Sequence, residues 1–168
     1  MKTAIYSGSF DPVTVGHMQI IEKGIKLFDK VIVAVMKNSA KSTMFSVADR
    51  LEFLKAATAH LPTVEVASFD GLQAVFAKER GATHFLRGLR SADDFSVEYT
   101  IALVNKSQQP ELETVFISPD AQYSYVCSAA ARDILFYGGD ASALVPKEVL
   151  TKIYKMNRGG LTDGKFKY

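Results

Sequence analysis

The chain has 168 residues, 48% of them apolar, and a net charge of +2 at pH 7, so it suits one domain with a substantial core and is too weakly basic for a typical nucleic-acid binder. Its single cysteine, Cys127, cannot form an internal disulfide, and no apolar run has the length of a signal core or a membrane span. We therefore expect a cytoplasmic protein without a nucleic-acid or membrane partner.

Strand-like and helix-like segments alternate along the chain. Short runs of mostly apolar, β-branched residues, typical of buried strands, lie at residues 3–8, 30–36, 63–69, 83–88 and 113–119. The segments between them carry apolar residues at helical spacing, namely Ile20, Ile21, Ile25 and Phe28; Val47, Leu51 and Leu54; Leu72, Val75 and Phe76; and Phe95, Tyr99, Ala102 and Leu103. This alternation predicts right-handed βαβ units, and hence an α/β fold with a doubly wound, five-stranded parallel sheet of the Rossmann-like kind.

The domain organisation predicted from the sequence is simple. No internal repeat or change in composition marks a second domain, so we expect one domain at residues 1–156. Residues 157–168 contain glycine breaks and little apolar pattern, which predicts a flexible C-terminal tail.

The stretch YSGSFDPVTVGH, residues 6–17, connects the first predicted strand to the first predicted helix. Gly8 permits close approach of a ligand to the backbone, Pro12 fixes a turn, and Gly16 removes a side chain at the helix start. Ligands of open parallel sheets bind at the carboxyl ends of the strands, and a helix N-terminus attracts phosphate. His17 falls in the first helical turn, so the loop is a candidate phosphate site. Alternatively, these residues only build a tight connection, with His17 capping or packing the helix.

The same stretch resembles a known signature. Nucleotidylyltransferases carry a His or Thr, any residue, and then Gly-His, and the matching residues here are TVGH at 14–17. The preceding GSFDP resembles the corresponding segment of the phosphopantetheine adenylyltransferase family, which acts in bacterial coenzyme A synthesis. Lys41, the Met-Phe pair at 44–45, RGLRSADDFSVE from Arg87 and PELETVFI from Pro110 resemble the same family in the same order. The resemblance covers residues 4–146.

The resemblance implies transfer of the adenylyl group of ATP to 4'-phosphopantetheine, giving dephospho-coenzyme A and pyrophosphate, the penultimate step of coenzyme A biosynthesis. An existing phosphate oxygen is the nucleophile, so the attack is direct and in line, with no covalent enzyme intermediate. The protein must position two anions and stabilise charge on the α-phosphate. By the same resemblance His17 stabilises the transition state, and the other catalytic residues are Ser9, Lys41 and Arg90.

The resemblance also implies two sets of binding residues. Those for phosphopantetheine are Ser9, Lys41, Gln73 and Arg87. Those for ATP are Ser9, Phe10, His17, Gly88, Leu89, Arg90, Glu98, Tyr123, Ser124, Tyr125, Val126, Cys127, Ser128 and Ala129. Several have an ordinary alternative, which is a solvated loop lysine for Lys41, helix surface for Gln73, and surface ion pairs with Asp93 or Asp94 for the two arginines.

One segment departs from the family pattern. Where the family has a run of serines after an aromatic-Ser-aromatic stretch, this chain continues with Val126, Cys127, Ser128 and Ala129. Two hydroxyls are therefore missing, but backbone N–H groups still bind phosphate without them. We expect ATP binding to persist, with Cys127 as a replacement for serine rather than a reactive thiol.

The sequence contains no cluster of residues that predicts a metal cage, so Mg²⁺ is expected to arrive with ATP, held largely by phosphates and water. The resemblance further implies a homohexamer. Two other functions stay open at this point: another small-molecule nucleotidylyltransferase that uses a different acceptor, and a nucleotide-binding module without catalysis.

Overall fold

A computed structural model describes residues 1–37 and 42–158 of the chain. Its sheet consists of five parallel strands, β1 Thr3–Gly8, β2 Lys30–Met36, β3 Val64–Phe69, β4 His84–Gly88 and β5 Glu113–Ile117. The helices in these ranges are α1 Val15–Gly24, α2 Val47–Thr58, α3 Gln73–Glu79, α4 Ala92–Gln108, α5 Ser128–Phe136 and α6 Lys147–Arg158, with a short 3-10 turn at Ala121–Tyr123. The five predicted strands are confirmed, although β5 ends before Ser118 and Pro119, which were expected to extend it.

The strands lie in the order β3-β2-β1-β4-β5. The chain builds outward from β1 to β3 and then returns to the other side of β1 with β4, where Ile5 pairs with Phe85. The loops that leave β1 and β4 therefore turn to opposite faces of the sheet, and a crevice opens between them at the carboxyl ends of the strands. This is the position that the fold prediction gives for a ligand site.

Side chains of the central strands pack on both faces of the sheet. Tyr6 and Val33 belong to the larger core, which includes residues of α1, α2 and α6. Ile5 and Ile32 point to the other face, where Phe76 of α3 covers them. Burial on both faces explains why these strands read as continuous apolar runs, and it confirms the doubly wound arrangement.

Gly24, the last residue of α1, allows close packing of that helix on β4. A Cβ built on Gly24 would lie 2.6 Å from Cδ2 of the fully buried Leu86. We expect Gly24→Ala to lower the free energy of unfolding by about 1–3 kcal/mol, because the core must shift to accept one methyl group. Urea unfolding at neutral pH would measure this, with Gly81→Ala as a contrast: a Cβ there meets no atom within 4 Å, and only its φ of +61° opposes the substitution. A Gly24→Ala variant as stable as the parent would contradict the packing argument.

The predicted apolar face of α3 is only partly correct. Phe76 is buried together with Ala74 and Ala77, whereas Leu72 and Val75 are 63% and 52% exposed. Leu72 is the residue before α3 rather than part of its core face. The small alanines, which the apolar spacing did not single out, bring this short helix close to the sheet.

The row of apolar residues on α4 is only partly buried. Phe95, Tyr99 and Leu103 are each about half exposed, although the Phe95 ring contacts Phe116 of β5 edge-on at a centroid distance of 5.6 Å. Because β5 is an edge strand and is itself only partly buried, the sheet offers too little surface to cover the whole row. The helical spacing predicted for this segment is confirmed, and the row that it defines is only partly buried.

Two helices follow β5, and strand–helix alternation alone does not predict the second of them. α6 runs to Arg158, so it includes two residues of the segment predicted as a tail; residues 159–168 lie outside the described ranges, and their flexibility stays a prediction. Within the part of the chain that the structure covers, no helix combines the length and the apolar character needed to cross a bilayer.

Candidate active site

A cavity of about 530 Å³ opens at the carboxyl ends of β1 and β4, where the strand order reverses. The β1–α1 and β4–α4 loops, the first turns of α1, α3 and α5, and one side of α4 form its walls. The predicted site residues that line it are Ser9, Phe10, His17, Gln73, Arg87, Gly88, Arg90, Glu98, Tyr123, Val126, Cys127, Ser128 and Ala129. Residues more than 110 positions apart in the chain thus meet at one place.

Three predicted site residues that the structure describes are not part of this lining. The amide of Leu89 donates to the carbonyl oxygen of Ile117 at 2.9 Å and so extends the sheet. The hydroxyl of Ser124 donates to the carbonyl oxygen of Ala121 at 2.8 Å, and Tyr125 is 64% exposed. Lys41 lies outside the described residues.

The β1–α1 loop is held in an unusual backbone conformation. Phe10 has a φ of 45°, a value that residues other than glycine rarely adopt, and its side chain is buried. The ring of Phe10 passes close to Gly8, where a Cβ would lie 3.3 Å from it. A side chain at position 8 would therefore require the buried Phe10 ring to move by a few tenths of an ångström. The backbone strain at Phe10 is of a kind that concentrates at functional sites.

The carboxylate of Asp11 fixes this loop to its neighbours. It is buried and accepts hydrogen bonds from the backbone N–H groups of Met44 and Phe45, each at 2.9 Å. Nη1 of Arg132 donates to the carbonyl oxygen of Asp11 at 2.8 Å and lies 3.7 Å from its carboxylate. Asp11 thereby connects the β1–α1 loop to the segment before α2 and to α5, which is a structural role.

His17 forms a capping box with Thr14 at the start of α1. The Thr14 hydroxyl accepts from the His17 amide at 3.3 Å, and the Thr14 amide donates to Nδ1 of the His17 ring at 3.0 Å. A backbone N–H can only donate, so Nδ1 carries a lone pair and the ring proton of the neutral imidazole is on Nε2. Capping and a place in the cavity wall therefore occur together at His17, and Nε2–H is the group that this ring can offer to a ligand in the cavity.

Burial, together with the smaller effect of the nearby charge of Arg90, lowers the pKa of His17 to about 4. The imidazole is therefore neutral at pH 7 and acts as a hydrogen-bond donor rather than as a cation. The neighbouring rings of Phe10 and Tyr6, whose centroids lie 5.1 and 6.2 Å away, account for the apolar surroundings.

The lowered pKa predicts a specific pH dependence. The ring resonances of His17 should show no titration between pH 8 and pH 5 in NMR spectra and should shift only as the pH approaches 4. Because the unfolded chain binds this proton at a higher pH than the folded chain does, His17 makes the free energy of unfolding rise with pH between about 4 and 6.5. Urea unfolding of the parent and of a His17→Gln variant across this range would show it, since the variant should lack that part of the slope. An ordinary titration of the ring would contradict the assignment.

Arg87 and Arg90 bring positive charge to the cavity from the end of β4 and the following loop. The buried guanidinium of Arg87 contacts Ser7, Gln73 and Glu98, and desolvation lowers its pKa, although an arginine stays protonated at neutral pH. Arg90 lies nearer to solvent. Its Nε is 3.1 Å from Oδ2 of Asp94, and the hydrogen bond to this carboxylate raises the pKa of Arg90.

The first turn of α5 forms the wall opposite α4. Sγ of Cys127 accepts from the amide of Ala130 at 3.4 Å, so the cysteine caps the helix as a serine would. The Ser128 hydroxyl donates to the carbonyl oxygen of Pro12 at 2.9 Å, which ties α5 to the β1–α1 loop. The first N–H groups of an α-helix have no partner within the helix, and those of Ser128 and Ala129 lie at the cavity.

Three polar residues of the cavity wall, Tyr6, Ser7 and Arg132, were not predicted from the sequence as site residues. Burial raises the pKa of the Tyr6 hydroxyl, which therefore keeps its proton and can donate a hydrogen bond. Tyr6 and Ser7 are the last residues of β1 before the glycine. Their position directly before the GSFDP segment was the signal that could have found them, because side chains at the end of a strand reach the edge where the ligand binds.

The comparisons with known proteins agree with the fold and the cavity. Residues 5–134 match the family model described as cytidylyltransferase-like, which defines a nucleotidyltransferase. Phosphopantetheine adenylyltransferases from Clostridium botulinum (strain Eklund 17B) and Nostoc punctiforme are 43% and 47% identical, over 94% and 90% of this chain and 99% and 83% of their own. The chain belongs to the phosphopantetheine adenylyltransferase family.

Structural similarity is consistent with this result at the level of the fold. A crystal structure from Vibrio parahaemolyticus, assigned provisionally as a nicotinate-nucleotide adenylyltransferase, superposes with a TM-score of 0.69 over 92% of this chain and 93% of that one. The sequence identity is only 19%, so the likeness shows the shared Rossmann-like fold and carries no information about the acceptor.

Proposed function

We propose that this protein transfers the adenylyl group of ATP to 4'-phosphopantetheine and releases pyrophosphate and dephospho-coenzyme A, the penultimate step of coenzyme A synthesis. Relatives named phosphopantetheine adenylyltransferase are 43–47% identical to this chain over nearly its whole length. The observation that carries the proposal for the site is the meeting of His17, Arg87 and Arg90 in one cavity at the point where the strand order reverses.

The proposed reaction needs no covalent enzyme intermediate. An oxygen of the phosphopantetheine phosphate forms a bond to the α-phosphorus, and the bond between that phosphorus and the oxygen bridging to the β-phosphorus breaks, so pyrophosphate leaves with the electron pair. The nucleophile is ionised at neutral pH, and no side chain has to remove a proton. The protein therefore contributes by positioning the two substrates and by stabilising the charge on the reacting phosphates.

The residues predicted for the site are suited to positioning the two phosphates and stabilising their charge. Arg87 and Lys41 would hold the acceptor's phosphate, while Ser9 would contact both phosphates with its hydroxyl; its carbonyl oxygen is fixed by a 2.8 Å hydrogen bond from Arg50. Nε2–H of His17 would donate to the α-phosphate as it becomes five-coordinate, where the charge increases most.

The triphosphate and the nucleoside would lie on the α5 side of the cavity. Arg90 and the N–H groups of Ser128 and Ala129 provide donors for the triphosphate there. Tyr123 would face the adenine, and Glu98 would accept from the ribose hydroxyls. Val126, buried under the start of α1, would contribute shape rather than charge.

We expect Mg²⁺ to enter with ATP. Among the described residues, no group of three His, Cys, Asp or Glu side chains is placed to hold a metal ion, and the carboxylates at the cavity, Asp94 and Glu98, contact arginines. Phosphate oxygens and water are the usual ligands of Mg²⁺ that accompanies a nucleotide, and the ion would offset part of the triphosphate charge.

The assembly and location are proposals as well. The half-exposed apolar row on α4, with Phe95, Tyr99 and Leu103, supplies a surface of the kind that subunit interfaces bury, and it supports the homohexamer expected from the family resemblance. Light scattering on the purified protein would measure the assembly. The cytoplasmic location stays a prediction.

The decisive experiment incubates the protein with ATP and Mg²⁺ and follows pyrophosphate release with three acceptors supplied separately. Turnover with 4'-phosphopantetheine and not with nicotinamide mononucleotide or glycerol phosphate would support the proposal. Turnover with another acceptor would favour a different small-molecule nucleotidylyltransferase. Binding of ATP without turnover on any acceptor would favour a non-catalytic nucleotide-binding module.

A further inference from the structure

Contacts from three secondary-structure elements fix the guanidinium of Arg87. Nη1 donates to the carbonyl oxygen of Ser7 in β1 at 2.8 Å, Nη2 donates to Oε1 of Gln73 in α3 at 2.5 Å, and Nε lies 3.3 Å from Oε2 of Glu98 in α4. Arg87 is 7% exposed. A guanidinium has five N–H donors, of which Nη1 and Nη2 carry two each. Among the residues that the structure covers, the second N–H of Nη1 and the second N–H of Nη2 have no acceptor. These two donors are therefore available to a ligand in the cavity.

Gln73 is held from a second side. Its Oε1 also accepts the hydroxyl of Ser7 at 3.0 Å, and Ser7 is buried. Two donors therefore converge on one oxygen, which fixes the orientation of the amide, because the opposite orientation would turn its NH₂ group toward both donors. Ser7 and Gln73 form a bridge from β1 to α3, and the acceptor of this bridge faces Arg87.

The bridge formed by Ser7 and Gln73 carries no charge, so it leaves the positive charge of Arg87 unchanged. Glu98 already balances the charge of Arg87 in part, and an amide adds an acceptor to the guanidinium without adding a negative charge. A carboxylate at position 73 would place two anions against one cation and would weaken the attraction of Arg87 for a phosphate.

We propose that Ser7 and Gln73 are positioning residues, which orient Arg87 toward the acceptor's phosphate and keep its charge available. Gln73 thus acts on the substrate's phosphate through Arg87, in addition to lining the cavity. This inference rests on the proposed function, in which Arg87 holds the phosphate of 4'-phosphopantetheine.

Steady-state kinetics with each substrate varied separately tests the inference. In Gln73→Glu we expect the KM for phosphopantetheine to rise at least about tenfold, while kcat and the KM for ATP change by less than about threefold. Gln73→Met, which keeps the length of the side chain but removes the acceptor, should give a smaller rise of the same KM. Gln108→Glu makes the same chemical change on an exposed residue outside the cavity and should leave both KM values unchanged.

A double substitution separates positioning from simple loss of structure. Ser7→Ala should raise the KM for phosphopantetheine in the parent but not further in Gln73→Met, because the hydroxyl acts through the amide oxygen. Thermal unfolding of each variant reports whether the fold is kept. Three outcomes would overturn this inference but leave the proposed function standing. They are an unchanged KM for phosphopantetheine in Gln73→Glu, equal effects of that substitution on the KM values of both substrates, and additive effects of Ser7→Ala and Gln73→Met. A parent protein that does not adenylylate phosphopantetheine would overturn the proposed function and this inference together.

Discussion

Replacing His17 with alanine should lower the kcat of adenylyl transfer by roughly 10²–10³, which corresponds to about 3 kcal/mol of transition-state stabilisation. The reason is the loss of the Nε2–H donor, which the contact between Nδ1 and the Thr14 amide assigns to the cavity side of the ring. The measurement is pyrophosphate release at saturating ATP and phosphopantetheine. The fold should persist, since losing one half of a capping box costs only about 1 kcal/mol.

Two further variants separate catalysis from folding at this position. His17→Gln keeps a side chain that commonly completes a capping box and also keeps an NH₂ donor, so at pH 7 it should unfold like the parent and should turn over more slowly than the parent but faster than His17→Ala. His60→Ala removes an exposed histidine and should change neither property. Near-normal turnover of His17→Ala would refute the assigned role.

Asp11→Ala should have the largest effect on stability, a loss of about 4 kcal/mol in the free energy of unfolding. The substitution leaves the amides of Met44 and Phe45 without an acceptor, and Phe45 is buried. Each hydrogen bond to a charged group contributes about 1.5–3 kcal/mol, and a buried donor without a partner costs further free energy. Urea unfolding would measure the loss.

Asp11→Asn provides an informative comparison, because it keeps the size of the side chain but presents an NH₂ group to one of the two N–H donors. We expect it to be destabilised nearly as much as Asp11→Ala. Asp70→Ala changes an exposed aspartate and should stay within about 0.5 kcal/mol of the parent. Full stability of Asp11→Ala would show that the loop is held by other contacts.

The sequence was sufficient for the sheet because the central strands β1 and β2 are buried on both faces and the segments between the strands have a periodic apolar pattern. The position of the site followed from the same pattern, since the glycine-rich loop comes directly after the first strand and the arginine-rich segment directly after the fourth. What these residues do to one another did not follow. That Nδ1 of His17 accepts from Thr14, or that the acceptor on Arg87 is the amide of Gln73, depends on side-chain geometry that a linear pattern does not contain.

The burial of α4 could not be predicted for a different reason. Spacing predicts which residues of a helix share a face, but the area available to cover that face depends on where the helix sits in the sheet. Phe95 and Leu103 belong to a helix beside an edge strand, and strand order is a property of the whole chain. A pattern within a window of sequence does not contain it.

The hydrogen bonds between Thr14 and His17 perform two tasks at once: they begin a helix, and they decide which nitrogen of the ring carries the proton. The side-chain hydroxyl of Thr14 caps the helix, whereas its backbone N–H fixes the tautomer, so a substitution of the side chain that leaves the helix start in place also leaves the donor to Nδ1 in place. Selection for a stable helix start would therefore keep in place the backbone donor that sets the tautomer of a neutral imidazole at position 17.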